Sequence, residues 1–216
     1  MRHAALLALL LPPFFGACRS PHTPPLPPGK GLVAVDPDEG VVAEKVFVPV
    51  WKVGDRYEYL RGGVLPIKLR VESADADHYR LVDEQTGLAT IVSHELADQG
   101  QEKEGQSELK LNFDPADFDL TFPLWDGKHW TSHFVSRALT RGDIPWVATY
   151  VCDAVEQVTV PAGTFRCWRI WRRARIAAEG SFIVRTSVSW YSPDVGNFVR
   201  RLSDGMLTEL VEFERQ

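Results

Sequence analysis

Little in this sequence offers chemistry. Cysteine is scarce, three in 216 residues, and histidine occurs six times. The Gly-x-Ser-x-Gly elbow, the glycine-rich phosphate loop and the His-Glu-x-x-His motif are all missing. No Ser/His/Asp set can be assembled from the spacing, so the chain is expected to be no enzyme, with no catalytic residue and no cofactor. Basic excess is missing too: 24 Lys and Arg stand against 29 Asp and Glu, a formal net charge of −5. Nucleic-acid binding leaves a basic footprint, so nucleic acid is not an expected partner. After residue 18 no apolar run approaches the about 20 residues of a membrane-spanning helix. No segment sustains a capped 3.6-residue period; only Val92–Gln101 offers a short helix.

What is present begins with an address. Met1-Arg2-His3 is a short basic start, and Ala4–Phe15 carries no charge. That apolar run is too short to span a bilayer and suits the core of a signal peptide. Phe15-Gly16-Ala17-Cys18 resembles the lipobox of bacterial lipoproteins, with small residues just before the cysteine; Phe15 stands where Leu is usual. Cleavage by ordinary export would want a small residue at position 15, which favours the lipid route. The resemblance implies that residues 1–17 are removed and that Cys18 carries the lipid. Arg19 takes the position where Asp often retains such lipoproteins at the inner membrane. The expected location is therefore the bacterial cell envelope, at the outer membrane facing the periplasm. Pro21, Pro24, Pro25, Pro27 and Pro28 follow. They favour extended geometry of about 3.1 Å per residue, a tether or tail. The expected division is leader 1–17, lipidated cysteine and tether 18–44, and domain 45–216.

From about Glu44 the pattern turns to period two. Leu65, Ile67, Leu69 and Val71 alternate with Pro66, Lys68 and Arg70; Leu109, Leu111 and Phe113 alternate with Lys110 and Asn112. Phe182, Val184, Thr186, Val188 and Trp190 form a third series, with Trp190 expected in the core. Turn signals separate the runs at Arg61-Gly62-Gly63, Gln85-Thr86-Gly87, Pro161-Ala162-Gly163, Pro193-Asp194-Val195-Gly196 and Asp204-Gly205. One wet and one buried face is the antiparallel habit. The fold class is mainly β: an antiparallel, strongly curved sheet, barrel or sandwich. Residues 98–107, rich in Gln, Glu and Gly, read as an exposed loop. Trp51-Lys52-Val53-Gly54-Asp55-Arg56-Tyr57 is echoed by Leu124-Trp125-Asp126-Gly127-Lys128-His129-Trp130, either two related halves or chance.

A few clusters remain as candidate sites. Arg166, Arg169, Arg172, Arg173 and Arg175 interleave with Trp168 and Trp171. Arginine beside tryptophan binds anions or stacks, so these seven form a possible anion or partner site; the alternative is a strand paired with acidic neighbours. In strand register Arg169, Arg173 and Arg175 share a face with Trp171, and Arg166 and Arg172 share the other with Trp168. Asp114, Asp117 and Asp119 suit calcium only without the usual glycine and closing glutamate, so a solvated acidic turn is expected. His129 and His133 fall on one strand face, about 13 Å apart, too far for one metal. No metal site is expected. Pairing Val160 with Thr164 sets Cys152 against Arg172 and Cys167 against Gln157, too far apart for a disulfide unless a bulge, a bend or a different pairing brings them together.

Four segments carry a further resemblance, in order: Val53-Gly54-Asp55-Arg56-Tyr57, Phe122 to Trp130, Val158-Thr159-Val160-Pro161-Ala162-Gly163-Thr164-Phe165, and Trp190-Tyr191-Ser192-Pro193-Asp194-Val195-Gly196. Together they resemble an uncharacterised group of bacterial exported β-rich lipoproteins, across residues 46–213. The resemblance implies an antiparallel β fold and supplies no catalytic residues. The expected function is a non-catalytic, lipid-anchored envelope protein binding an apolar ligand or a protein partner, with the membrane as partner through the anchor. A structural or assembly component of the envelope is the alternative.

Overall fold

A computed structural model describes residues 29–103, 111–138 and 142–216. Thirteen strands form one antiparallel sheet, and the described residues contain no helix. The strands are β1 (Gly31–Val35), β2 (Arg56–Arg61), β3 (Leu65–Ala74), β4 (His78–Asp83), β5 (Leu88–Ser93), β6 (Asp98–Lys103), β7 (Leu111–Asp117), β8 (His129–Ala138), β9 (Gly142–Val160), β10 (Gly163–Ile176), β11 (Val184–Ser192), β12 (Asn197–Ser203) and β13 (Met206–Glu214). From β2 to β13 each strand pairs with the next, and β13 returns to pair with β2, closing a 12-stranded barrel. Closure removes the unpaired edges that an open sheet would expose. β1 lies outside the ring, pairing Gly31–Val35 with the stretch of β8 that β7 leaves uncovered.

The echoed motif turns out to be one local structure used twice. Gly54 and Gly127 sit at φ 97° and 94°, the left-handed region where only glycine avoids a Cβ penalty. Gly54 N donates to Val71 O, and Val71 N donates back to Asp55 O; Gly127 N donates to Cys152 O, and Cys152 N to Lys128 O. The residue after each glycine is charged yet buried. Asp55 accepts from Lys52 N (2.9 Å) and Gln216 N (2.8 Å). Lys128 donates to Thr121 O (2.8 Å) and Pro123 O (2.6 Å) and lies over Trp125. Each turn opens a six-strand meander, β2–β7 and β8–β13. Nothing lies within 4 Å of a Cβ added at Gly127. Gly127→Ala is therefore expected to cost only the backbone strain of its left-handed position, about 1–2 kcal/mol in urea unfolding.

Inward residues build the main core. Trp130 stacks on Tyr150 at 5.1 Å and 5°, among Val71, Leu81, Leu124, Phe134, Trp168 and Ile170. A second core forms where the closing ladder is incomplete. β12 and β13 pair only from Arg200 with Glu209 to Ser203 with Met206. The tip of the β9–β10 hairpin reaches the parted ends, with Arg200 Nη2 on Thr159 O (2.6 Å) and Ala162 N on Leu210 O (3.1 Å). Val158, Val160 and Cys167 pack there against Tyr57, Val199 and Leu210.

Several expectations are corrected. Val92–Gln101 is no helix: β5 ends at Ser93, a turn follows with Leu96 at φ 62°, and β6 begins at Asp98. The exposed loop expected at 98–107 is strand through Lys103; residues 104–107 lie outside the described residues, as do Leu109 and Lys110. Phe182 precedes β11 and is 94% exposed, and Val184 and Thr186 within the strand are exposed too; Val188 is buried as expected, and burial continues through Ser189, Tyr191 and Ser192. Trp190 is half-buried and donates Nε1 to Glu156. In the β9–β10 hairpin Val160 faces Gly163, and a bulge sets Cys152 opposite Ile170, while Cys167 faces Glu156. Cys152 and Cys167 are free buried thiols in separate cores.

Candidate functional site

Side chains do not fill the barrel throughout. Between β2–β6 and the start of β12 lies a cavity of about 360 Å³, in the range of small-ligand sites. Trp51, Ile67, Leu69, Leu81, Val92 and Leu120 give it an apolar wall. Arg61, Asp83, Leu88 and Thr208 line it where β2, β4, β5 and β13 meet the turns at one end of the barrel. The same end exposes Val64, Leu65, Phe182, Ile183, Val184 and Met206. The barrel's flank is charged instead, with Lys68 on Glu58, Arg70 on Glu84 and Arg169 on Asp153. A lipid-facing barrel wall would present an apolar band there.

Charge collects deeper in the cavity. Asp98, Asp119 and Arg201 line it beside Gln101 and Asn197. Arg201 donates Nη2 to Asp119 (2.7 Å) and Nε to Ser189 (2.9 Å), and lies over the Phe198 ring. Behind them Arg172 donates to Asp117 (2.8 Å) and to the Tyr150 hydroxyl (3.2 Å), and reaches Asp119 at 3.4 Å. Tyr150 also donates to Asp117. Burial, with the Asp119 charge, raises Asp117 above the ordinary carboxylate range against the pull of Arg172 and Tyr150. Asp98 differs. It accepts a hydrogen bond from the uncharged Gly100 N (3.0 Å). Burial, then the charges of Asp119 and Asp117, push it up to about 8, against the pull of the Gly100 amide and of Arg201.

The arginine and tryptophan residues of β10 do not form one surface. Arg172 turns inward with Trp168, Ile170 and Ala174 and belongs to the cavity network. Arg169 is paired outside with Asp153 and Glu156, and Arg166 with Glu44. Arg173, Arg175 and Trp171 are exposed on the outer face. The acidic turn is corrected as well: Asp117 is buried and Asp119 is paired inside the barrel, while Asp114 alone faces out, against Arg137. His129 pairs with Asp36. Among the described residues no group of His, Cys, Asp and Glu has metal-site geometry. Sequence reading missed Asp98, Arg201 and the buried role of Asp117. The apolar company of Arg172 on its strand face, Trp168 and Ala174, was the one signal pointing inward. Cys18 and residues 1–28 lie outside the described residues.

Fold and cavity together define the class: a closed, all-antiparallel meander barrel with an amphiphilic pocket open to solvent. Residues 151–202 match the DUF3108-like family, and residues 2–57 match a protein family of unknown function, DUF3299. The first match contains the Val158–Phe165 and Trp190–Gly196 segments. No curated protein matches the sequence. Among solved structures, the chain is similar to the hypothetical lipoprotein YmcC of Escherichia coli, at 10% identity and TM-score 0.48, over 73% of this chain and 83% of that one. It is also similar to a proposed exported protein with YmcC-like fold from Bacteroides fragilis, at 13% identity and TM-score 0.44, over 80% and 100%. A proposed lipoprotein from Parabacteroides distasonis gives 14%, 0.45, 79% and 100%.

Proposed function

We propose that this chain is a non-catalytic protein of the bacterial cell envelope, anchored by lipid on Cys18, that binds an apolar ligand inside its barrel. The cavity carries the reading. A space with apolar walls and a few convergent polar groups is the usual form of a small-molecule site. Thr90 lines it from β5. A tryptophan there would fill space the ligand needs. Thr90→Trp is expected to weaken binding of the fluorescent apolar probe N-phenyl-1-naphthylamine by about tenfold or more, at a stability cost of no more than about 1–3 kcal/mol. Probe binding that survives this change, or is absent from the parent chain, counts against an interior site.

The anchor rests on the lipobox resemblance of Phe15-Gly16-Ala17-Cys18. Two or more acyl chains hold a protein stably where one does not. Protein isolated from its native membranes is expected to begin at Cys18 and to carry the mass of its acyl chains, and Cys18→Ser to leave the membrane fraction. An unmodified Cys18 in the native protein contradicts the anchor. Arg19 supports placement at the outer membrane, facing the periplasm.

A protein partner is the second reading, favoured by the exposed apolar side chains at the cavity end of the barrel. Apolar side chains exposed at one end of a barrel are where a partner would dock, if they form one patch. Crosslinks from Phe182 to an envelope protein in cells would favour it over the ligand.

A further inference from the structure

We propose that the ligand of this cavity is an amphiphile bearing one protonated amine, its ammonium seated on Asp98 and its apolar body against Leu81, Val92, Leu96 and Leu120. This deepens the reading of the cavity as a ligand site and rests on it. The charges of the inner cavity leave Asp98 without a counterpart. Three carboxylates converge there, Asp98, Asp117 and Asp119, with two guanidiniums, Arg172 and Arg201. Asp117 takes Arg172, and Asp119 takes Arg201 with a second contact to Arg172. Among the described residues Asp98 has no ion pair; its contact is the Gly100 amide. The other charged groups lining the cavity are Arg61 and Asp83, one of each sign. Asp83 is held in its turn by Gln85 N and the Thr86 hydroxyl.

A partly buried carboxyl whose nearest guanidinium, Arg201, is already taken by Asp119 has two stable conditions: it keeps its proton, or a further cation comes to it. On its own, Asp98 holds its proton more tightly than an ordinary carboxyl, because burial disfavours the bare charge. An ammonium arriving on an apolar tail supplies the missing charge and displaces that proton. A carboxylate headgroup would meet three carboxyls and two arginines already paired. A hydroxyl headgroup would find a hydrogen bond and no charge to balance.

The test is titration calorimetry of dodecylamine, dodecanol and dodecanoate into the full chain carrying Cys18→Ser and into the same chain with Asp98→Asn. It is done at pH 7 in buffers of different ionisation enthalpy. The amine is expected to bind at least tenfold more tightly than the alcohol, releasing close to one proton per molecule bound. Asp98→Asn should abolish both the preference and the proton release and leave alcohol binding intact, which shows that the barrel and cavity survive the change. Equal affinity for amine and alcohol, or tightest binding of the dodecanoate, overturns the ammonium assignment while the cavity reading stands. Binding of none of the three overturns the cavity reading itself.

Discussion

At pH 8.5 and without ligand, the Asp98→Asn protein is expected to be more stable than its parent by on the order of 3–5 kcal/mol, and at pH 4 to be equal to it. The sign follows from linkage. Burial and the neighbouring Asp119 and Asp117 raise the folded-state value of Asp98 to about 8. The folded protein therefore binds this proton more tightly than the unfolded chain does. The stability linked to that proton is fully present below the ordinary carboxylate range, about 4. It is lost as pH rises towards 8. Asparagine imitates the protonated carboxyl and has nothing to lose, so the gap between the two proteins opens across this window and then stays constant. A tenfold difference in proton affinity corresponds to about 1.4 kcal/mol, and the part of Asp98 that opens on the cavity reduces the full amount. Urea unfolding at four pH values between 4 and 9 measures it, and a flat difference curve would mean that Asp98 is solvated through the cavity.

The second large effect is expected at Arg172. Its guanidinium holds Asp117, touches Asp119 and meets the Tyr150 hydroxyl. Removing one partner of a buried ion pair leaves the other charge uncompensated, at about 3–5 kcal/mol. Arg172→Met is expected to cost that much in urea unfolding at pH 7. Adding Asp117→Asn should recover a large part of the loss, because the stranded charge is gone while an amide still meets Tyr150. Such coupling marks residues that share one network. A cost under about 1 kcal/mol for Arg172→Met would show water screening the network from the cavity side.

How far the sequence could be read depended on whether a partner lay nearby in the chain. The alternation Leu65, Ile67, Leu69, Val71 marked the inward face of β3 because one strand contains its own signal. Pro161-Ala162-Gly163 marked the tip of the β9–β10 hairpin, and the paired Gly54 and Gly127 turns marked the start of each half of the barrel. The cavity left no such mark. Asp117 finds Arg172 at a separation of 55 residues, and Asp119 finds Arg201 at 82. In sequence these aspartates looked like a solvated turn, because only the closed ring brings their arginines to them. β6 was misread for a related reason. Its run Asp98-Gln99-Gly100-Gln101-Glu102 has no apolar face, since Asp98 and Gln101 line a polar stretch of the cavity rather than packed core. The arginine strand was visible as a cluster, yet Arg172 and Arg169 serve opposite faces of one wall.

The most direct measurement is native mass spectrometry of the protein released gently from the envelope of its own cells. The account predicts one bound molecule per chain, beyond the acyl chains on Cys18, that contains an amine and is lost in Thr90→Trp. A chain that arrives bare under conditions that preserve other lipid complexes, and equally bare with and without Thr90→Trp, would contradict it.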